Sequence, residues 1–211
     1  MTDPIDDLVA TLEPVRPVRP AGLALRFVFP ALLLSAAGLA ILVGMRPDMP
    51  GALVLPSFWI KLIAMMAIAA AGWFALAAAS RPGRSPAPGL IAGGALILVL
   101  IVAGLTNLLL ADSGSRMEVL MGHSVRYCLP RVVLTALPVF AASLFLLRSM
   151  APTRLRLAGL AAGLFAGAAG AAVYSLSCTE ASITFLAVWY QLAILAVAGL
   201  GALIGPRLLR W

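Results

Sequence analysis

Leu90–Ala111 reads LIAGGALILVLIVAGLTNLLLA, 22 residues without a charge, and Asp112 ends the run. A helix rises about 1.5 Å per residue, so about 20 apolar residues cross a hydrocarbon core about 30 Å thick. A lipid interior leaves such a run no choice but helix, because each backbone N–H and C=O must find its partner inside the segment. Five more apolar runs lie between charges: Phe27–Met45, Leu62–Ala79, Val132–Leu147, about Leu157–Leu176 and about Ile183–Gly205. Val132–Leu147 is short at 16 residues, but the long stems of Arg131 and Arg148 beside it can reach the headgroups. The spacing predicts an all-α, polytopic membrane bundle of six helices over residues 23–205. A segment of residues 1–22 precedes it and a tail of residues 206–211 follows.

Composition agrees. Of 211 residues, 63% are hydrophobic and 11% charged, with a mean hydropathy of +1.06. A soluble domain carries about 25% charged residues, so an ordinary cytosolic enzyme, a disordered regulator and a disulfide-rich secreted module are all excluded. The net charge of +7 reads through topology rather than as a nucleic-acid footprint, because the cations sit between the apolar runs. Arg16, Arg19, Arg26, Arg81, Arg84, Arg148, Arg154, Arg156, Arg207 and Arg210 fall on one side; Arg46, Lys61, Arg116, Arg126 and Arg131 fall on the other. Ten against five puts both termini in the cytoplasm. Residues 1–22, with Asp3, Asp6, Asp7 and Glu13, do not read as a signal peptide.

The spans carry no Asp, Glu, Lys, Arg or His between their ends, which disfavours a substrate pathway. Their polar residues, Ser35, Thr106, Asn107, Thr135, Ser143, Tyr174 and Gln191, suit hydrogen bonds between helices. In GLAAGLFAGAAG, Gly159, Gly163 and Gly167 recur every four residues and form a flat stripe that lets another helix approach closely. Packing within the chain, the seam of a homodimer and a sliding surface for signal transmission all remain open.

Chemistry concentrates on the far side. Cys128 lies in the long third loop, Asp112–Arg131, and Cys178 at the outer end of the fifth span, 50 residues on. In an oxidising periplasm such a pair can be a static disulfide. Against that reading, His123, the only histidine, precedes Cys128 by five residues, and Glu180 follows Cys178 by two. Thiolate and imidazole together suit thiophilic ions such as Cu(I) and Zn(II), so Cys128 and Cys178 are candidate sensing thiols for a transient metal. His123 and Glu180 are candidate auxiliary ligands. No permanent cofactor and no catalytic residue is expected. A thiol oxidase would need a second cysteine pair to pass electrons on, and the chain has only two cysteines. The alternative from another class is a small transporter or metal-efflux component using these groups as an entry site.

On the near side, Ile5, Leu8, Val9 and Leu12 recur at helical spacing and give one apolar face of about two turns, ended by Pro14. Pro14–Pro20, PVRPVRP, should be stiff and extended. A helix this short is not stable alone and folds when its apolar stripe enters a partner's groove; a membrane-surface helix or a disordered tail is the plainer alternative.

GHSVRYC at Gly122–Cys128, APTRLRLAGLAAG at Ala151–Gly163, CTE at Cys178–Glu180, the closing FLAVWYQLAILAVAGLGALIGPRLLRW at Phe185–Trp211 and the opening DDLVATLEPVRPVRP resemble the NrsF family. The resemblance covers essentially the whole chain. It implies a six-span inner-membrane anti-sigma factor that sequesters an extracytoplasmic-function sigma factor and releases it when two periplasmic cysteines meet heavy metals or oxidants. The matching cysteines are Cys128 and Cys178, and with a sigma factor as the partner the stripe Ile5, Leu8, Val9 and Leu12 becomes the candidate sigma-binding face. The family pattern often has Trp where this chain has Val125 and His where it has Ser177. One potential metal ligand is therefore missing, while a two-thiol switch is intact.

Overall fold

The computed structural model describes residues 22, 24–81 and 83–210. Helix α1 opens with a π-helical stretch, Ala24–Val28, and continues over Phe29–Leu42. A short α2 (Met49–Ala52) precedes α3 (Pro56–Ala79), and α4 covers Ala87–Leu110. A second short helix, α5 (Arg116–Met121), leads into α6 (Val125–Arg148), followed by α7 (Leu155–Tyr174). Helix α8 runs through Ile183–Phe185, a π-helical turn at Leu186–Tyr190, and Gln191–Leu208. Six of these helices are long and apolar enough to cross a membrane, and the described residues hold no strand. The fold is the all-α, six-span bundle that the charge punctuation predicts. The stripe Ile5, Leu8, Val9 and Leu12 lies outside the described residues.

Most boundaries shift by a few residues, and three differences matter. Helix α3 begins at Pro56 rather than Leu62, so Lys61 lies inside a long helix and not at its flank. Helix α6 has 24 residues, beginning at Val125 rather than Val132, so Cys128 sits in its first turn and not in a loop. Arg126, Pro130 and Arg131 look like breakers in sequence. Pro130, inside α6, loses the one backbone bond to the Arg126 carbonyl without ending the helix, and the Arg131 guanidinium lies 4.9 Å from the centre of the Tyr127 ring. At the other end of the chain, α8 continues past Gly205 through Pro206 to Leu208, and Leu209 is fully buried.

Helix α7 is the axis of the bundle, packed against α3, α6 and α8. Its residues from Ala161 to Ala171 are all buried, and all but Leu164 and Phe165 among them are alanine or glycine. Without a hydrophobic drive between helices in lipid, close backbone approach supplies the packing, and only small residues permit it. A Cβ at Gly159 would overlap the Gly201 carbonyl, and one at Gly163 would overlap the Val197 carbonyl. One at Gly167 would come within 3.1 Å of Ile194 Cα. The glycine stripe thus faces α8 within the same chain. The lipid-facing side is the converse, with Ile41, Ile63, Phe74, Ile91, Leu98 and Leu203 all exposed.

Buried side chains form two clusters stacked along the bundle. One, with Val28, Leu76, Phe140, Leu147, Ala158 and Leu209, lies at the end rich in arginine. The other, with Leu39, Met65, Cys128, Tyr174, Cys178, Phe185 and Tyr190, lies at the opposite end. Of the polar residues expected to bond between helices, Thr135 and Asn107 do so, the latter with Thr184. Thr135 Oγ1 on α6 donates to the Gly170 carbonyl of α7 at 3.0 Å, and Thr184 Oγ1 on α8 reaches both the Gly104 carbonyl and Asn107 Oδ1 of α4 at 3.0 Å. Ser35, Thr106 and Ser143 instead bond to their own helices.

Candidate sensing site

The cysteine-bearing end is assembled from four elements: the start of α3, the start of α6, the segment after α7 and the first turns of α8. Cys128 is in the first turn of α6, and its N–H donates to the Ser124 carbonyl at 3.0 Å. Cys178 lies four residues beyond the end of α7, its N–H donating to the Tyr174 carbonyl at 3.1 Å, so it still caps that helix. Both are free thiols and both are buried, at 0% and 3% exposure, in one cluster with Tyr174, Phe185 and Tyr190. The structure therefore unites residues 50 apart in sequence and shields them from bulk water.

Two polar devices hold the segment carrying Cys178. Lys61, the only lysine, is five residues into α3 and 5% exposed. Its Nζ donates to the Cys178 carbonyl at 2.8 Å and the Glu180 carbonyl at 3.0 Å. An ammonium has three donors. A small cavity of about 90 Å³, lined by Ser57, Lys61, Glu180 and Ser182 among others, lies beside it with room for water at the third. Glu180 then reaches across to α6: its Oε1 accepts from the His123 N–H at 2.7 Å, the Ser124 N–H at 3.0 Å and the Ser124 hydroxyl at 3.1 Å. This carboxylate caps the positive end of the helix that bears Cys128. Gly122 makes the approach possible, since its φ is +54° and a Cβ there would meet Glu180 Oε2 at 2.7 Å. The GHS lead-in is thus a carboxylate cradle.

Neighbouring contacts complete the assembly. Ser177 Oγ donates to the Gly44 carbonyl at 2.6 Å, tying the Cys178 segment to the end of α1. Close by, Arg46 forms a two-pronged pair with Asp48, at 2.8 and 2.7 Å. That guanidinium holds the Asp48 carboxyl below the usual carboxylate range, so what the pair contributes is present at neutral pH and is lost as acid protonates Asp48. Ser182 Oγ and Trp189 Nε1 donate to the Val119 and Leu120 carbonyls at 2.9 Å, fastening α5 over the start of α8. The π-helical turn of α8 brings Tyr190 into the thiol cluster, where its hydroxyl is buried without a hydrogen-bond partner among the described residues.

Of the candidate residues, Cys128 and Cys178 come together. Glu180 is close to them but occupied as a helix cap. The His123 side chain is exposed, and its contact with Glu180 is through backbone. Among the described residues, no three His, Cys, Asp or Glu side chains gather as a metal site. In the sequence Lys61 reads only as a charge flanking the second span. Its being the chain's single lysine was the available signal.

The Glu180 cap has a direct test. Glu180→Ala leaves three donors at the start of α6 unmatched, a loss of about 2 kcal/mol for charge-assisted bonds. The purified variant should melt several degrees lower, and Cys128 should react faster with maleimide as the first turn frays; Glu180→Gln, which keeps one acceptor oxygen, should recover part of both. Unchanged melting and unchanged labelling would show that the cap carries no weight.

The family model described as negative regulator of sigma F, NrsF, matches residues 8–211. The chain is 40% identical to the anti-sigma-F factor NrsF of Caulobacter vibrioides (strain NA1000 / CB15N) over 215 residues, covering 98% of this chain and 99% of that protein. It is 38% identical to the probable anti-sigma-F factor NrsF of Azospira oryzae (strain ATCC BAA-33 / DSM 13638 / PS) over 181 residues, covering 84% of this chain and 85% of that one. No solved structure matches significantly.

Proposed function

This chain belongs to the NrsF family, negative regulators of sigma F, and from that membership we propose that it holds an extracytoplasmic-function sigma factor at the cytoplasmic face of the inner membrane and frees it when Cys128 and Cys178 react on the opposite face. The observation that carries this reading is the pair of free thiols buried in one cluster at one end of α7, the helix that runs through the core to the arginine-rich end. The excess of cations at that second end supports N-in, C-in topology.

Two reactions fit the pair. A thiophilic ion displaces two protons and binds two thiolates. An oxidant takes two electrons, and the two thiols lose two protons to become a disulfide. Either draws the start of α6 toward the segment capping α7. Because the Glu180 carboxylate fastens these two elements to each other and Lys61 fastens the second of them to α3, these contacts must yield, and α7 moves with α8 through their glycine contacts. Turning a bound:released ratio of 99:1 into 1:99 takes about 5.5 kcal/mol. A disulfide contributes about 2–4 kcal/mol, so oxidation alone gives partial release and two thiolates on a soft metal more.

Transport is the weaker reading. Among the described residues every carboxylate lies outside the six long helices, so the bundle offers no acidic relay.

Purifying the tagged full chain from gently solubilised membranes, without added metal, tests the role. A sigma factor should co-purify stoichiometrically and be lost on deletion of residues 1–22. Absence of any sigma factor under both reducing and oxidising conditions would refute the proposal.

A further inference from the structure

At the end remote from the thiols, a cavity of about 580 Å³ opens between the start of α7 and the last turns of α8, lined by Arg156, Ala202, Leu203, Pro206, Arg207 and Arg210. Three guanidiniums thus share a wall with apolar side chains. All three arginines are exposed, and none forms an ion pair with a carboxylate among the described residues. Leu203 is 70% exposed on the lipid-facing side of α8, so the cavity sits where acyl chains meet headgroups.

The backbone explains why a hollow exists here. Pro206 has no N–H to give the Ala202 carbonyl, which leaves that oxygen on the cavity wall without its helical donor. One layer deeper, Gly159 meets Gly201 and Gly205 so closely that the two helices are fixed against each other. Closely packed backbone thus fixes the two helix ends that carry the cavity's arginines.

We propose that this cavity binds the headgroup of an anionic glycerophospholipid, phosphatidylglycerol in the first instance. The guanidiniums of Arg156, Arg207 and Arg210 would bind the phosphate diester, a headgroup hydroxyl would donate to the Ala202 carbonyl, and the acyl chains would lie along Leu203. Basic pockets between helix ends at the inner surface recognise such lipids, and arginine matches the phosphate geometry. The volume is that of a molecule rather than a bare ion. The orientation proposed above decides only which leaflet supplies the lipid.

Native mass spectrometry of the full chain, extracted into detergent and supplied with equal phosphatidylglycerol and phosphatidylcholine, tests the site without any sigma factor present. The chain should retain phosphatidylglycerol in preference by at least about tenfold. The preference should vanish in the R156Q/R207Q/R210Q variant and largely persist in R156K/R207K/R210K, which keeps the charge and controls for folding. Equal retention of the two lipids, or a preference that survives the glutamine variant, would overturn the proposal. So would millimolar inorganic phosphate that protects the chain from thermal unfolding as well as the lipid does. A preference seen only after deletion of residues 1–22 would make that acidic segment the occupant instead, and would likewise overturn it.

Discussion

Cys128→Ser with Cys178→Ser is expected to abolish release of the sigma factor by cadmium or by a thiol oxidant while leaving it bound at rest. Both sulfurs are free thiols in the folded chain, so the resting grip is expected not to depend on a bond between them. Each serine places a hydroxyl in an apolar cluster at a cost of about 1–3 kcal/mol, so the double alanine variant provides the check on volume and polarity. Reporter transcription should stay at the uninduced level with and without the inducer, and either single substitution should suffice to remove the disulfide response. Constitutive sigma activity in both double variants would mean that the thiols hold the bundle together rather than report on its surroundings.

The second large effect belongs to the other face. Substituting alanine at Ile5, Leu8, Val9 and Leu12 together removes the apolar stripe on which sigma binding is proposed to rest. Full burial of such side chains is worth about 1.5–3 kcal/mol each. Even if a partner's groove covers only half of that area, affinity should fall by more than about a hundredfold, since about 1.4 kcal/mol is a factor of ten. Titration of the purified chain with its sigma factor measures this directly. Replacing Asp6 and Asp7, which lie off the apolar face, should change affinity far less. Equal losses from the two sets would mean that charge rather than the stripe makes the contact.

The bundle could be read from Leu90–Ala111 and the runs like it because a membrane removes the alternatives: length, apolarity and a charge at each end leave only a spanning helix. The start of α6 was hidden for the opposite reason. Arg126, Pro130 and Arg131 each oppose a spanning helix taken singly; Tyr127, one turn back on the same helix, is a local partner for Arg131, but only the distant Glu180 shows how the helix end is capped. The glycine spacing of α7 announced a close neighbour, but nothing local names Gly201 and Val197 as what lies opposite. The thiol pair was legible as two far-side cysteines. That Glu180 caps α6 from 56 residues away, or that Lys61 grips the Cys178 segment from 117 away, depends on long-range contacts that leave no periodic trace.

Control of sigma release by the thiols requires communication from the thiol end to the arginine-rich end. Spheroplasts expose the outer face alone, and after brief exposure to cadmium, or to an oxidant that does not cross the membrane, the sigma factor can be quantified in membrane and soluble fractions. The chain described here should lose most of its bound sigma factor to the soluble fraction on cadmium and a smaller part on oxidation, and the double serine variant should lose none. Sigma factor that stays on the membrane in both, or leaves it equally in both, would contradict the claim that Cys128 and Cys178 control the grip.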